Sequence, residues 1–261
     1  MEHVISADGT SIAVHSTGDG TPVVVIGGAF SQARDAAEIA DALAARGFRA
    51  MTYDRRARGD SGDERGEAPV DPQREVDDLA GVVAWAGGDV SLLGHSSGAV
   101  LALVAASQGV PVRHLFLSEP PFHFGEGDPA ADFVDRLQAA VDEGRNADAV
   151  TLFQREAVGL PDEMIAQIRQ TPMFEALLPL AQSTVYDATL TRDVSTPTAE
   201  MVAVASPVTI LCGEQTFPFL SAAAQRLAKT IPGAELVIMP ESVMHRLDAV
   251  AAARVVGDRL D

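Results

Sequence analysis

Gly94-His95-Ser96-Ser97-Gly98 constrains this chain more than any other stretch. Asp89-Val90-Ser91-Leu92-Leu93 before it reads as a short buried strand. Ala99 to Ala106 after it reads as an apolar helix, closed by Gly109 and Pro111. A G-x-S-x-G turn between a strand and a helix is so sharp that its central residue is strained and its side chain stands exposed at the end of the sheet. Small residues two before and two after that position avoid clashes, and Gly94 and Gly98 meet the demand around Ser96. Ser97 would need small residues at 95 and 99 and finds His95 on one side. Ser96 is therefore the candidate nucleophile.

The surrounding chain alternates strand and helix patterns. Val4 to Ser6, an Asp8-Gly9 turn and Ser11 to His15 form a hairpin pattern. Pro22-Val23-Val24-Val25-Ile26 is a continuous apolar run, as expected of a strand buried on both faces. Ala37, Ile39, Ala40, Leu43 and Ala44 then mark one face of a helix that stops at Gly47. Phe48 to Tyr53 is the next strand, and Val76, Leu79, Ala80, Val83 and Ala84 mark the helix leading to the strand before Gly94. Val112 to Leu117 follows as another strand. This alternation predicts a parallel sheet with helices on both faces.

At Pro120-Pro121 the alternation stops, and residues 122–200 carry only helical patterns. It resumes with the strand Pro207 to Leu211, a helix around 222–228, the strand Glu235 to Met239 and a final helix. The expected organisation is a core of residues 1–121 and 201–261, with 122–200 as an inserted helical cap. Such a cap would overhang the carboxyl ends of the strands, where ligands bind in open α/β sheets.

Composition excludes several function classes. The chain has 261 residues and a formal charge of −18, and its one short basic run, Arg55-Arg56-Ala57-Arg58, is ringed by Asp54, Asp60, Asp63 and Glu64. Self-paired loop charges are the expectation there, and neither nucleic acid nor an anionic membrane is an expected partner, since phosphate contacts need concentrated positive charge. No apolar run approaches the roughly 18 residues that span a bilayer. The first residues lack a basic segment followed by an apolar stretch, and Cys212 is the single cysteine. A cytoplasmic protein is expected, monomeric or homodimeric, acting on a small molecule. No metal is expected, because no two His or Cys residues have ligand spacing, and no cofactor is expected either.

Along nearly its whole length the chain resembles the α/β-hydrolase superfamily. The matching landmarks are Gly27-Gly28-Ala29-Phe30, Tyr53-Asp54-Arg55-Arg56-Ala57-Arg58-Gly59-Asp60-Ser61-Gly62, the Ser96 turn and a late histidine. Arg58 to Gly62, Gly94 to Gly98 and Ser118-Glu119-Pro120-Pro121-Phe122 are similar to a group of capped bacterial hydrolases that mostly lack assigned substrates. The resemblance implies a mostly parallel eight-stranded sheet flanked by helices. Two departures stand out. Ala57 occupies a usual glycine position, so its turn must avoid a positive φ or accept strain. Thr216 stands three residues after Gly213, where the pattern usually has its catalytic aspartate.

A serine hydroxyl needs an adjacent base, itself oriented by a carboxylate. The resemblance puts the base at His245, after the last strand. His3 and His15 lie in the hairpin, on the far side, and His114 is early in its strand. Three carboxylates compete for the acid. Glu119 ends the sixth strand and is preferred; Glu214 is the rival, and Asp248 is expected to cap the helix after His245. Oxyanion donors are expected from the N–H groups of Ser97 and Ala29, with Phe30 the near alternative for Ala29. Phe30, His95, Phe122 and His123 are candidate pocket residues, His123 being equally consistent with a plain loop role.

With serine rather than aspartate at position 96, the expected chemistry is acyl transfer on a small, fairly apolar ester, lactone or thioester. Carbon–carbon bond hydrolysis by the same residues, or a non-catalytic ligand-binding homologue, are the alternatives.

Overall fold

The computed structural model describes residues 1–66 and 68–260. The chain runs through β1 (Glu2–Ile5), β2 (Ser11–Thr17), β3 (Thr21–Ile26), α1 (Ala37–Ala45), β4 (Phe48–Tyr53), α2 (Gln73–Ala86), β5 (Ser91–His95), α3 (Ser97–Ser107) and β6 (His114–Ser118). Six helices follow: α4 (Phe133–Asp142), α5 (Asn146–Glu156), α6 (Asp162–Ile168), α7 (Pro172–Leu177), α8 (Ala181–Asp193) and α9 (Ala199–Val202). β7 (Val208–Gln215), α10 (Pro218–Thr230), β8 (Glu235–Val243) and α11 (Ala249–Leu260) complete it.

The eight strands form one sheet in the order β1-β2-β4-β3-β5-β6-β7-β8. The β1–β2 and β2–β4 pairs are antiparallel and the rest are parallel, as the strand–helix alternation predicts. Strand order reverses between β3 and β5, so the chain leaves their adjacent carboxyl ends in opposite directions and opens a crevice there.

One face of the sheet is covered by apolar side chains of α2, α3 and α10, the other by those of α1 and α11. Each fully buried Val or Leu contributes about 1.5–3 kcal/mol of transfer free energy. Helix α3 is buried from Ser97 to Ala105 on every side, because the sheet lies beneath it and α2, α8 and α9 lie over it. The insert has an apolar cluster of its own, built on Phe133, Leu137, Val150, Phe153, Phe174 and Val185.

The basic run departs from expectation. Arg55, Arg56 and Arg58 are fully buried, and their main partners are distant in sequence. Arg55 makes a forked pair with Glu75 of α2, at 2.8 and 2.7 Å, and reaches Asp187 of α8 at 2.9 Å. Arg56 is held by Asp78 of α2 and by Asp8, Arg58 by Asp187 at 2.6 Å. Of the neighbouring acids, Asp63 alone takes part, 3.5 Å from Arg56. Asp54 instead accepts the N–H groups of Ala33 and Asp60. Guanidinium groups drawn out of water must draw carboxylates with them, and only helices packed over the loop can deliver buried ones. Within the same loop Ala57 takes a φ of 59°, so the turn accepts the strain.

Candidate active site

Ser96 follows β5 with φ 55° and ψ −127°, held by its N–H donating to the Ser118 carbonyl at 2.8 Å. The turn sits tightly against the end of β3. A Cβ on Gly28 would stand 2.8 Å from the Ser96 Cβ, and one on Gly98 only 2.3 Å from the Ile26 carbonyl oxygen. Glycine is needed at both positions because the backbone and the Ser96 side chain approach within that space.

Glu119 follows β6, buried, with its N–H on the Leu211 carbonyl. Its Oε1 accepts the Gly213 N–H at 2.8 Å, and its Oε2 lies 2.5 Å from His245 Nδ1. Burial pushes the Glu119 carboxyl up, but the bonds from His245 and Gly213 outweigh it and leave it below the usual carboxylate range. An ionised carboxylate only accepts, so Nδ1 carries the ring proton and a neutral His245 keeps Nε2 as its acceptor.

The rival acids lie elsewhere. Glu214 is exposed on β7. Asp248 accepts the Ala251 N–H at 2.8 Å and caps α11.

Ser96 and His245 line one cavity of about 320 Å³, within the range of small-molecule sites. Its walls are mainly apolar and include Phe30, Phe153, Val158, Phe217, Phe219 and Leu220. Ala29 and Ser97 also border it, and among the described residues neither N–H has a hydrogen-bond partner. The Ser97 N–H belongs to the first turn of α3, where backbone donors are unsatisfied by construction and the helix dipole favours negative charge.

Phe30, His95 and His123 stand on the cavity wall. The His95 ring lies 4.5 Å from that of His245, with its Nδ1 3.0 Å from Ser118 Oγ. Burial, with the neighbouring imidazole's charge, pushes His95 down to about 3, so it stays neutral at working pH. His123 lies nearly parallel to the Phe219 ring.

Phe122 is a correction. It does not line the cavity but is buried in the sheet-face core, near Phe124, because the chain turns it inward after Pro121. His114 pairs with Thr209 and stacks on Phe116, and His3 bonds Ser11, all remote from the cavity.

Asp187 was not foreseen. It is a cavity-wall carboxylate, fully buried, bonded to Arg55, Arg58 and the Ser97 hydroxyl. The available signal was one acid inside the charge-free run from Ser183 to Leu190.

Among the described residues no helix is long and apolar enough to cross a membrane. A family model described as the alpha/beta hydrolase family matches residues 12–253. An alpha/beta hydrolase from Sphaerobacter thermophilus is 38% identical, with 98% of this chain and 99% of that one covered at a TM-score of 0.89. The enol-lactonase of Burkholderia xenovorans is 17% identical, covering 98% of each chain at a TM-score of 0.69. An esterase of Thermogutta terrifontis is 20% identical, covering 98% of this chain and 95% of that one at 0.68. The latter two share the fold. No curated protein matches the sequence. The chain belongs to the alpha/beta hydrolase family.

Proposed function

We propose that this protein is a serine hydrolase that cleaves a small, uncharged and fairly apolar carboxylic ester, lactone or thioester. Ser96 Oγ attacks the acyl carbon while His245 Nε2 takes its proton, and Glu119 holds and stabilises the imidazolium that forms. The carbonyl electron pair moves onto oxygen, where the N–H groups of Ser97 and Ala29 receive it. Collapse expels the alcohol or thiol, which takes the proton from His245. Water then repeats the sequence on the acyl-enzyme and restores Ser96.

The observation that carries this reading is the 2.5 Å contact of His245 with a buried Glu119, on a cavity that Ser96 also lines. The substrate class follows from the walls. They carry no Lys or Arg side chain, and their carboxylate, Asp187, is already neutralised by two arginines. A charged acid would find no counter-ion there. Residues 122–200 act as the cap over this space, and the single, buried Cys212 fits a cytoplasmic setting.

The test is labelling with a fluorophosphonate beside turnover of p-nitrophenyl esters of increasing chain length and a lactone panel. Stoichiometric labelling that is lost in Ser96→Ala, with short-chain esters or lactones turned over, is expected. A wild-type protein that neither labels nor turns over any member of the panel overturns the reading.

A further inference from the structure

The two polar groups of Ser97 have separate fates. Among the described residues its N–H has no partner at the start of α3, whereas its hydroxyl is tied down from behind. Oγ donates to Asp187 Oδ1 at 2.7 Å and accepts from Arg55 Nη1 at 3.1 Å. The same Nη1 donates to Asp187 Oδ1 at 2.9 Å and to the Gly27 carbonyl at 3.1 Å. Gly27 lies two residues before Ala29 in the loop after β3. One guanidinium and one carboxylate therefore grip both backbone segments that border the cavity with free N–H groups.

Neither gripping group can swing away. Arg55 has its other edge forked onto Glu75, and Asp187 Oδ2 is held by Arg58 at 2.6 Å. Water is excluded from the cluster, with Arg55 at 2% exposure and Asp187 at 1%. Two arginines and two carboxylates cancel in charge, so what the cluster supplies toward the cavity is fixed position rather than a net field. An apolar residue at position 187 would close the cavity wall without needing a single arginine. The carboxylate, reaching from insert helix α8 to the first residue of α3, does more than cover.

We propose that Asp187 is a positioning residue of the oxyanion hole: acting through Arg55 and the Ser97 hydroxyl, it sets the spacing of the two backbone donor segments, so that seating α8 and assembling the hole are one event. This rests on the serine-hydrolase reading above. An ångström of misplacement in such a constellation costs about 10²-fold, and a lost donor about 10²–10³-fold, in turnover.

The experiment compares wild type, Ser97→Ala and Asp187→Asn, with active sites counted by fluorophosphonate titration and folding checked by thermal melting. Ser97→Ala removes the hydroxyl link but keeps the backbone N–H and creates no unpaired charge, so it remains informative if Asp187→Asn fails to fold. Expected for Ser97→Ala is a fall of about 10–100-fold in kcat on a p-nitrophenyl ester, with KM within about twofold. Binding of a trifluoromethyl ketone, whose adduct with Ser96 bears the oxyanion, weakens by a similar factor. A folded Asp187→Asn follows the same split, and the double variant is no worse than the worse single one, as for two links of one chain. A folded Ser97→Ala with wild-type kcat per active site and wild-type ketone binding overturns this inference while leaving the hydrolase reading intact. A wild type without labelling or turnover overturns both.

Discussion

Four side chains around the cavity sit on backbone that residues with a Cβ seldom adopt: Phe30 at φ 60°, Ser96 at 55°, Glu119 at 45° and His245 at 61°. Each such conformation costs about 1–3 kcal/mol and survives only where its surroundings over-determine it. Here the restraints are visible, in the Ser96 N–H on Ser118, the Glu119 N–H on Leu211 and the ring of His245 on Glu119. If Glu119 orients the base, Glu119→Gln lowers kcat by about 10³–10⁴-fold, whereas Glu214→Gln leaves it within about twofold. The reverse result in steady-state assays moves the role to Glu214. The pH profile carries a second expectation. On the proposed mechanism neutral imidazole is the working form, so the rate rises with pH to a plateau. His95, although 4.5 Å away, is pushed down to about 3 and stays uncharged throughout that range. A profile flat from pH 5 to 9 in the wild type counts against His245 as base. At this scale the sequence reading was limited by pairing. A serine in a tight turn and a late histidine announce themselves locally, but Asp187 is 132 positions from Arg55 and nothing local names its partner.

Among the elements, α3 and the loop after β3 are the pair whose closeness matters most. Gly98→Ala brings a Cβ against the carbonyl oxygens of Ile26 and Gly27, at 2.3 and 2.5 Å, and neither can retreat without moving β3. Overpacking of this kind costs about 1–3 kcal/mol, and a chain this size loses about 2–4 °C of melting temperature per kcal/mol. A drop of several degrees, together with a loss of turnover per folded molecule, is expected from thermal melts and assays of Gly98→Ala. An unchanged melting temperature contradicts the packing argument. The strands and the core helices were legible because their apolar residues follow simple periods, although β5 begins two residues later than expected and runs to His95. Helix α8 lies within the stretch read as helical, but its own period was not legible. It is buried almost all round, so it has no polar face to set a period, and the hydroxyls of Ser183, Thr184 and Thr189 bond back to carbonyls of its own turns. Serine and threonine used in this way hide which face of a helix is buried when only the letters are read. Phe122 failed for a related reason, since which side of a chain faces inward just past a strand depends on the packing around it.

For the whole molecule, charge plays two roles that composition alone merges. The excess of −18 disperses the protein, while a small set of ions is sequestered where α2, α8 and the loop after β4 meet. Removing one member of such a set strands its partner and costs about 3–5 kcal/mol. Because Asp187 belongs to the insert while its arginines belong to the core, loosening one half exposes unbalanced ions in the other. Differential scanning calorimetry is therefore expected to show a single transition whose calorimetric and van't Hoff enthalpies agree; two resolved peaks would separate the halves. On that expectation no intermediate is populated in which the sheet stands sound while the proposed cap has melted. If residues 122–200 are the cap proposed above, heat, acid or a damaging substitution that lifts that roof also scatters the proposed machinery underneath, and shelter and chemistry fail together.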